Sequence, residues 1–467
     1  MSPRLSALPA IAGASLALVL AVGCSSSAGG DGGGTPAVNT CPAPTGPATK
    51  HAGFVSADET WGPGLHEVTA NVLVRAGVTL TVAPRAVVRL AKDVVLEVDD
   101  EAKGLVAEGT ASEPIVFERA NAAEAWGALL AYAPATVRLA YTTLRGGGTT
   151  KAGIGADFGG AALAARNQQT TRMDVLAVDH VTVEGASGVG VLLDSTGFVA
   201  GSRALTVTGS GSYPVYLGAA FATNLPEGTY APNGEAAFLL QSIGAAVYES
   251  ADPIFGEVTL RNRGLPYVVG SGFSSIEIGD GRSESPKGAL TIEPGVELRF
   301  KAASSGRSQL RVRSHRVGGK DVAQGALIAN GTAAAPIVFT SQSATPAPGD
   351  WQGLYFENHS DPRNSVQYAR IAGAGADSTS TGLCVSTPGA PNYDADCSVI
   401  LWLDEAPGSA FITNSTIEDG RGCGVYRAWK GASVDFTATN TFRRLTGCAQ
   451  SNVAPLNGSC DTTGPCR

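Results

Sequence analysis

Charged residues are scarce in this chain. Asp, Glu, Lys and Arg make up 16% of its 467 residues, and the formal net charge is −8. That leaves no broad basic surface to neutralise phosphates, so nucleic acid is not an expected partner. Histidine is scarcer still, five residues with no His-Glu-x-x-His and no Cys-x-x-Cys spacing, which gives no support to a zinc site. Beyond the first 23 residues no apolar run is long enough to span a bilayer. Cysteine is nearly absent until the end, where six of the eight fall between Cys384 and Cys466.

Glycine is abundant, at 60 residues, in a composition that is 43% hydrophobic. This balance fits many short strands joined by tight turns better than a helical or disordered chain. The apolar residues also occur twice in the same order. Leu80, Val82, Pro84, Ala86, Val88 and Leu90 are matched, 210 residues on, by Leu290, Ile292, Pro294, Val296, Leu298 and Phe300. Gly109-Thr110 and the Pro114–Phe117 run return as Gly331-Thr332 and Pro336–Phe339, offset by 222. Trp126 and Leu129 return as Trp351 and Leu354; Leu139, Tyr141, Leu144 and Gly146 return as Val366, Tyr368, Ile371 and Gly373. Order is kept while the offset drifts, so insertions fall between strands, as stacked coils tolerate.

A shorter period lies in the middle of the chain. Val181, Val183, Gly185, Val189, Val191 and Leu193 align with Leu205, Val207, Gly209, Tyr213, Val215 and Leu217, all offset by 24. Runs of alternating apolar residues broken by glycine mark strands with one buried face. A repeat this short suits one coil of two or three strands and would not arise from a β-sandwich array.

The N-terminus carries Arg4, an apolar run from Leu8 to Val22 and then Gly23-Cys24. This is the pattern of a secretory signal. "LAVGC" resembles the lipobox of bacterial lipoproteins, with Ala21 where Leu is usual, and the resemblance implies a lipidated Cys24 as the membrane anchor. The Gly/Ser/Pro-rich stretch that follows cannot bury enough apolar surface to fold and is expected to be a flexible tether. Ser25 and Ser26 after the cysteine lean, by the same resemblance, towards the outer membrane.

The segments "LTIEPGVELRF", "GALIANGTAAAPIVFTS", "WQGLYF" and "FITNSTIEDGRGCGV" resemble the repeats of right-handed parallel β-helix, pectin-lyase-like, surface proteins of bacteria. The expected organisation is therefore all-β. It comprises a lipoprotein signal peptide over 1–23 and a lipidated cysteine with tether over 24–50. A right-handed parallel β-helix solenoid follows over 51–450, in two diverged halves of about 54–260 and 261–450, and then a cysteine-containing tail over 451–467. Export makes disulfides the default for the late cysteines. Ile417, Gly422 and Cys423 are matched by Phe442, Gly447 and Cys448 at an offset of 25, which puts Cys423 and Cys448 on adjacent coils and predicts a bond between them. Cys384 and Cys397 are expected to staple the loop they flank, and Cys460 and Cys466 to close the tail. Cys41 has no assigned partner.

Many proteins of this superfold cleave polysaccharides, so catalytic groups were sought. Asp179 and His180 in "VDHVTVEG" are similar to a segment of pectate lyases in which an Asp helps hold calcium; a polar turn before a strand reads the same way. The Arg-x-Pro-x-x-Arg element of those enzymes and the motif set of galacturonan hydrolases are missing. Asp404-Glu405 is read as a turn, because adjacent strand residues point to opposite faces and cannot flank one glycosidic bond. Asp99, Asp100 and Glu101 form an acidic turn, read as solvated, with calcium binding as the alternative, and no cofactor is expected. The distinctive cluster is basic: Lys301, Arg307, Arg311, Arg313, Arg316 and Lys320 occur with no acid among them. With Leu310 and Val312 inward, Arg311 and Arg313 are expected side by side outside, suited to an acidic polysaccharide; a charged solvated rim is the other reading. The resulting expectation is a lipid-anchored envelope protein serving as a rigid binding or structural module. A polysaccharide lyase or hydrolase and a purely architectural spacer are the alternatives.

Overall fold

The computed structural model describes residues 46–150, 159–169, 171–240, 253–270, 275–279, 287–301, 308–317, 320–376, 396–454 and 466, with backbone alone at 315–324. Cys24, Cys41, Arg307, Cys384 and Cys460 lie outside the described residues, as do the side chains of Arg316 and Lys320. Short strands follow one another from Thr49–Val55 to Gln450–Ala454 and stack in parallel register. The fold is a parallel β-helix solenoid. One antiparallel pairing occurs among the described residues, between Gln309–Val317 and Lys320–Asn330. Among the described residues no helix is long and apolar enough to cross a membrane.

The alternation seen in the sequence is the alternation of the walls. In Thr79–Val82 and Ala86–Leu90 the apolar residues Leu80, Val82, Ala86, Val88 and Leu90 are buried in one continuous core, while the residues between them are half exposed. Each fully buried aliphatic side chain contributes about 1.5–3 kcal/mol. The 24-residue offset is one turn of the coil: Val181 pairs with Leu205, Val183 with Val207, Val191 with Val215 and Leu193 with Leu217. Gly185 and Gly209 turn the corner between those strands at φ 62° and 66°, a conformation that costs glycine little.

In the first half three strand ladders carry the coil. Ladder A contains Glu59–Trp61, Thr79–Val82, Gly104–Glu108 and the first parts of Thr136–Arg145 and Leu176–Glu184. Ladder B contains Ala86–Leu90, Ile115–Arg119, the second parts of those two long strands, Arg203–Thr208 and Gly228–Thr229, where it ends. Ladder C begins with the second parts of Thr49–Val55 and Gly64–Val74 and continues through Leu96–Val98, Leu129–Tyr132, Ala161–Arg166, Val189–Asp194 and Phe238–Leu240 to Thr441–Arg443. The second half adds ladder D, Ile276–Ile278 to Gln450–Ala454, and ladder E, Gly256–Leu260 to Ile412–Thr413.

Outside ladder B, charge alternates from coil to coil. The register sets Lys50 beside Glu67, Glu67 beside Arg89 and Arg89 beside Glu118, and Arg145 bonds both Glu118 and Glu184. A one-residue slip would turn these outward groups inward, so the row reinforces the register set by the core. Each exposed pair is worth about 0.2–1 kcal/mol.

The disulfides differ from the sequence expectation. Cys423 is bonded to Cys397, its register partner one coil earlier at a Cα separation of 4.6 Å, and Cys448 is bonded to Cys466. The expected pairs Cys423–Cys448, Cys384–Cys397 and Cys460–Cys466 are therefore not formed. The expected stacking of Cys448 above Cys423 is present, since the Gly424 N–H donates to the Cys448 carbonyl. A cysteine in the middle of a ladder has a neighbour on each side at one strand spacing, and an offset in the sequence cannot choose between them.

Candidate functional site

The outward side of ladder A holds a groove lined in part by Asp179. Register places Ala140 between Glu108 on one coil and Asp179 on the next, and Ala177 beside Arg138. Two methyl groups thus form a floor between longer side chains. On the following coil the chain leaves the ladder at Val199–Ser202 before rejoining it at Arg203, and this bulge forms a wall, fixed by the Val178 N–H donating to Ser202 Oγ at 3.3 Å. The groove has a volume of about 490 Å³.

Its rim is charged, and each carboxylate has an arginine. Arg138 bonds Glu108 at 2.7 Å, and Arg203 forks onto both oxygens of Asp179 at 3.0 and 2.7 Å. The Arg203 hydrogen bonds hold the Asp179 carboxyl below its ordinary range against a partial desolvation that would raise it; His180, bonded to Asp179 through Nδ1 at 2.6 Å, acts in the same direction as Arg203. The His180 ring lies parallel to Tyr141, centroids 4.6 Å apart. Both residues turn the corner from ladder A to ladder B with positive φ, 55° and 43°; Ala204, Tyr368 and Asn414 do the same at equivalent corners, so this conformation belongs to the turn of the coil. Glu108, Tyr141, Arg138 and Arg203 were not picked out as site residues from the sequence, because they lie a coil or more from Asp179. The recurrence of Tyr141 as Tyr368 was the one available signal.

The basic segment is organised differently from expectation. Leu310 and Val312 face the core and Arg311 and Arg313 project the other way, yet neither arginine offers a free guanidinium. Arg311 is buried and donates through Nε and Nη2 to Glu357; Arg313 donates to Glu357 at 2.8 Å and to Glu277 at 3.3 Å. Burial pushes the Glu357 carboxyl up, but the two guanidinium groups overcome this and hold it low. Arg311 also covers the Tyr355 ring at 5.0 Å. The absence of acids within the segment misled because the partners arrive from neighbouring coils. Lys301 is half-buried, with desolvation lowering its pKa, and its ammonium stands 5.8 Å over Tyr213.

Asp404 and Glu405 end the strand Cys397–Glu405 and do not form a turn; Glu405 is in register with Lys430. Asp99–Glu101 is a turn, in which the Asp99 carboxylate, accepting a hydrogen bond from protonated Asp100, raises the pKa of Asp100. Among the described residues no group of three or more His, Cys, Asp or Glu side chains is placed to hold a metal ion.

Comparison with known proteins bears on the fold. No curated protein and no solved structure matches the chain. Residues 284–379, which span the repeat of ladders E, C and D in the second half, match the family described as the pectate-lyase-like beta helix domain, in agreement with the stacked parallel strands.

Proposed function

We propose that this protein is an exported, bacterial, lipid-anchored envelope β-helix, held through Cys24, and that it works as a rigid binding module for a polysaccharide lying in the ladder A groove. The observation that carries the reading is the groove itself: an alanine floor set between fixed donor and acceptor pairs. Sugar hydroxyls use donors and acceptors together, and their C–H faces pack on flat rings and methyls. Each rim arginine is already charge-paired, so recognition rests on hydroxyl geometry and depends little on salt. An acidic polymer remains within this class, but Arg311 and Arg313 are not its docking row.

The test is affinity electrophoresis against neutral and acidic polysaccharides at low and high salt. Ala177→Trp fills the floor from an outward position and should weaken binding at least about tenfold, roughly 1.4 kcal/mol, with unchanged circular dichroism. Equal binding by the variant would overturn the site. Release of reducing or unsaturated ends, lost in Asp179→Asn, would favour a catalytic role for the Asp179–His180 contact.

A further inference from the structure

The first coil ends the core with aromatic rings where later coils use aliphatic side chains. His66 is interior and 5% exposed, in the column continued by Val88 and Phe117. His51 comes from the preceding strand and Trp61 from the same coil as His66: the His51 ring stacks on Trp61 at 4.0 Å, and His51 Nε2 lies 2.9 Å from His66 Nδ1. The far side of His66 is fixed as well, with Nε2 2.7 Å from the Gly62 carbonyl oxygen. Trp61 Nε1 donates to Glu59 Oε1 at 2.7 Å, and the same oxygen is 3.6 Å from His51 Nδ1.

These contacts fix the protons. A carbonyl only accepts, so His66 carries its hydrogen on Nε2 and Nδ1 is a lone pair; His51 must then donate from Nε2. A first added proton goes to His51 Nδ1, facing Glu59, and leaves every hydrogen bond intact. A second can go only to His66 Nδ1, which turns the acceptor into a donor and sets two imidazolium N–H groups against each other inside the core. We propose that the first coil is a proton-sensitive end cap, closed while the His51–His66 pair carries at most one extra proton and opened when it takes two.

The charged groups around the pair are Glu59 on its own coil and, alternating outward on the packed strands, Lys50, Glu67 and Arg89. Burial holds the His51 pKa below 6.5, His66 pushes it the same way and Glu59 opposes them. The opened coil therefore binds protons more readily than the closed one, and closure is fully favoured above about pH 6.5 and lost as pH falls below it.

Hydrogen exchange of the full chain, corrected for intrinsic rates, tests this. Protection of Thr49–Val55 should fall roughly tenfold or more between pH 7.5 and pH 5, while Val189–Asp194 is unchanged. His66→Leu, apolar like its column neighbours, should shrink the pH dependence to the part that burial of His51 alone imposes. Glu59→Gln, which disfavours the single-proton closed state, should move the opening to higher pH. Equal protection of the wild type at both pH values would overturn the proposal, as would an undiminished pH dependence in His66→Leu. If His66→Leu loses protection throughout at pH 7.5, the Glu59→Gln shift decides, and no shift overturns it.

Discussion

The two copies of the repeat are the same locally and different globally. In each, an invariant-looking tryptophan is buried and its indole N–H donates to a backbone carbonyl at 2.8 Å: Trp126 to Arg145, Trp351 to Ala372. These carbonyls are equivalent in the sequence alignment of the copies. Yet Ile115–Arg119 lies in ladder B whereas its counterpart Ile337–Ser341 lies in ladder C, and Leu129–Tyr132 lies in ladder C whereas Gly353–Asn358 lies in ladder D. Ladder B ends at Gly228–Thr229, and the next strand stacks elsewhere: the Thr259 N–H donates to Thr223 Oγ1, in a 3₁₀ turn over Ala219–Asn224. A strand–turn–strand unit is therefore portable between ladders, because its burial pattern needs only an inside and an outside.

The same pairing shows how the outward side chains at the groove position differ between the copies. Where the first copy has Glu108, Arg138, Ala140 and Tyr141, the second has Asn330, Ser365, Gln367 and Tyr368, and the next coil offers Thr413 and Asn414 where the first copy has Asp179 and His180. Ser365 Oγ lies 2.7 Å from Asn330 Oδ1, a neutral contact in place of an ion pair, and Gln367 replaces the alanine of the floor. The backbone is reused and the outward side chains differ, which is how a site is grafted on a repeat.

Three experiments break or sharpen this comparison. Trp126→Ala and Trp351→Ala should each cost about 3–5 kcal/mol locally. The second should cost about 0.5–1.5 kcal/mol more, because Trp351 stacks on Phe300 at 4.1 Å where the first copy has Leu90. Hydrogen exchange around each site measures this, and a reversed order would show that the copies are not equivalent. Next in size is the Cys397–Cys423 bond, found in the second half. Cys397→Ser with Cys423→Ser should lower the stability of the last coils by about 3 kcal/mol and leave Leu129–Tyr132 untouched; loss throughout would mean the halves unfold together. The smallest effect concerns the alternating charges outside ladder B. Glu118→Lys sets like charges beside Arg89 and Arg145 and should cost roughly 0.2–1 kcal/mol per pair, shrinking in high salt.

Much of this architecture was legible in the residues alone. The period of two within strands and of 24 between coils follows from which side chains must leave water, and both appear unchanged as burial and register. The sequence also located Asp179 and His180 and the outward direction of Arg311 and Arg313. It could not say what stood opposite them. In a solenoid the neighbour across a hydrogen-bonded ladder is a whole coil away along the chain, and coil length varies with every insertion. Thus Glu357 and Glu277 turned a basic stretch into a buried neutral network, Arg203 and Tyr141 joined Asp179 and His180, and Cys397 took Cys423 from Cys448. Which residues face inward is a local property that one strand encodes by alternation. Which residues meet across coils is set by stacking, and only the assembled ladders decide it.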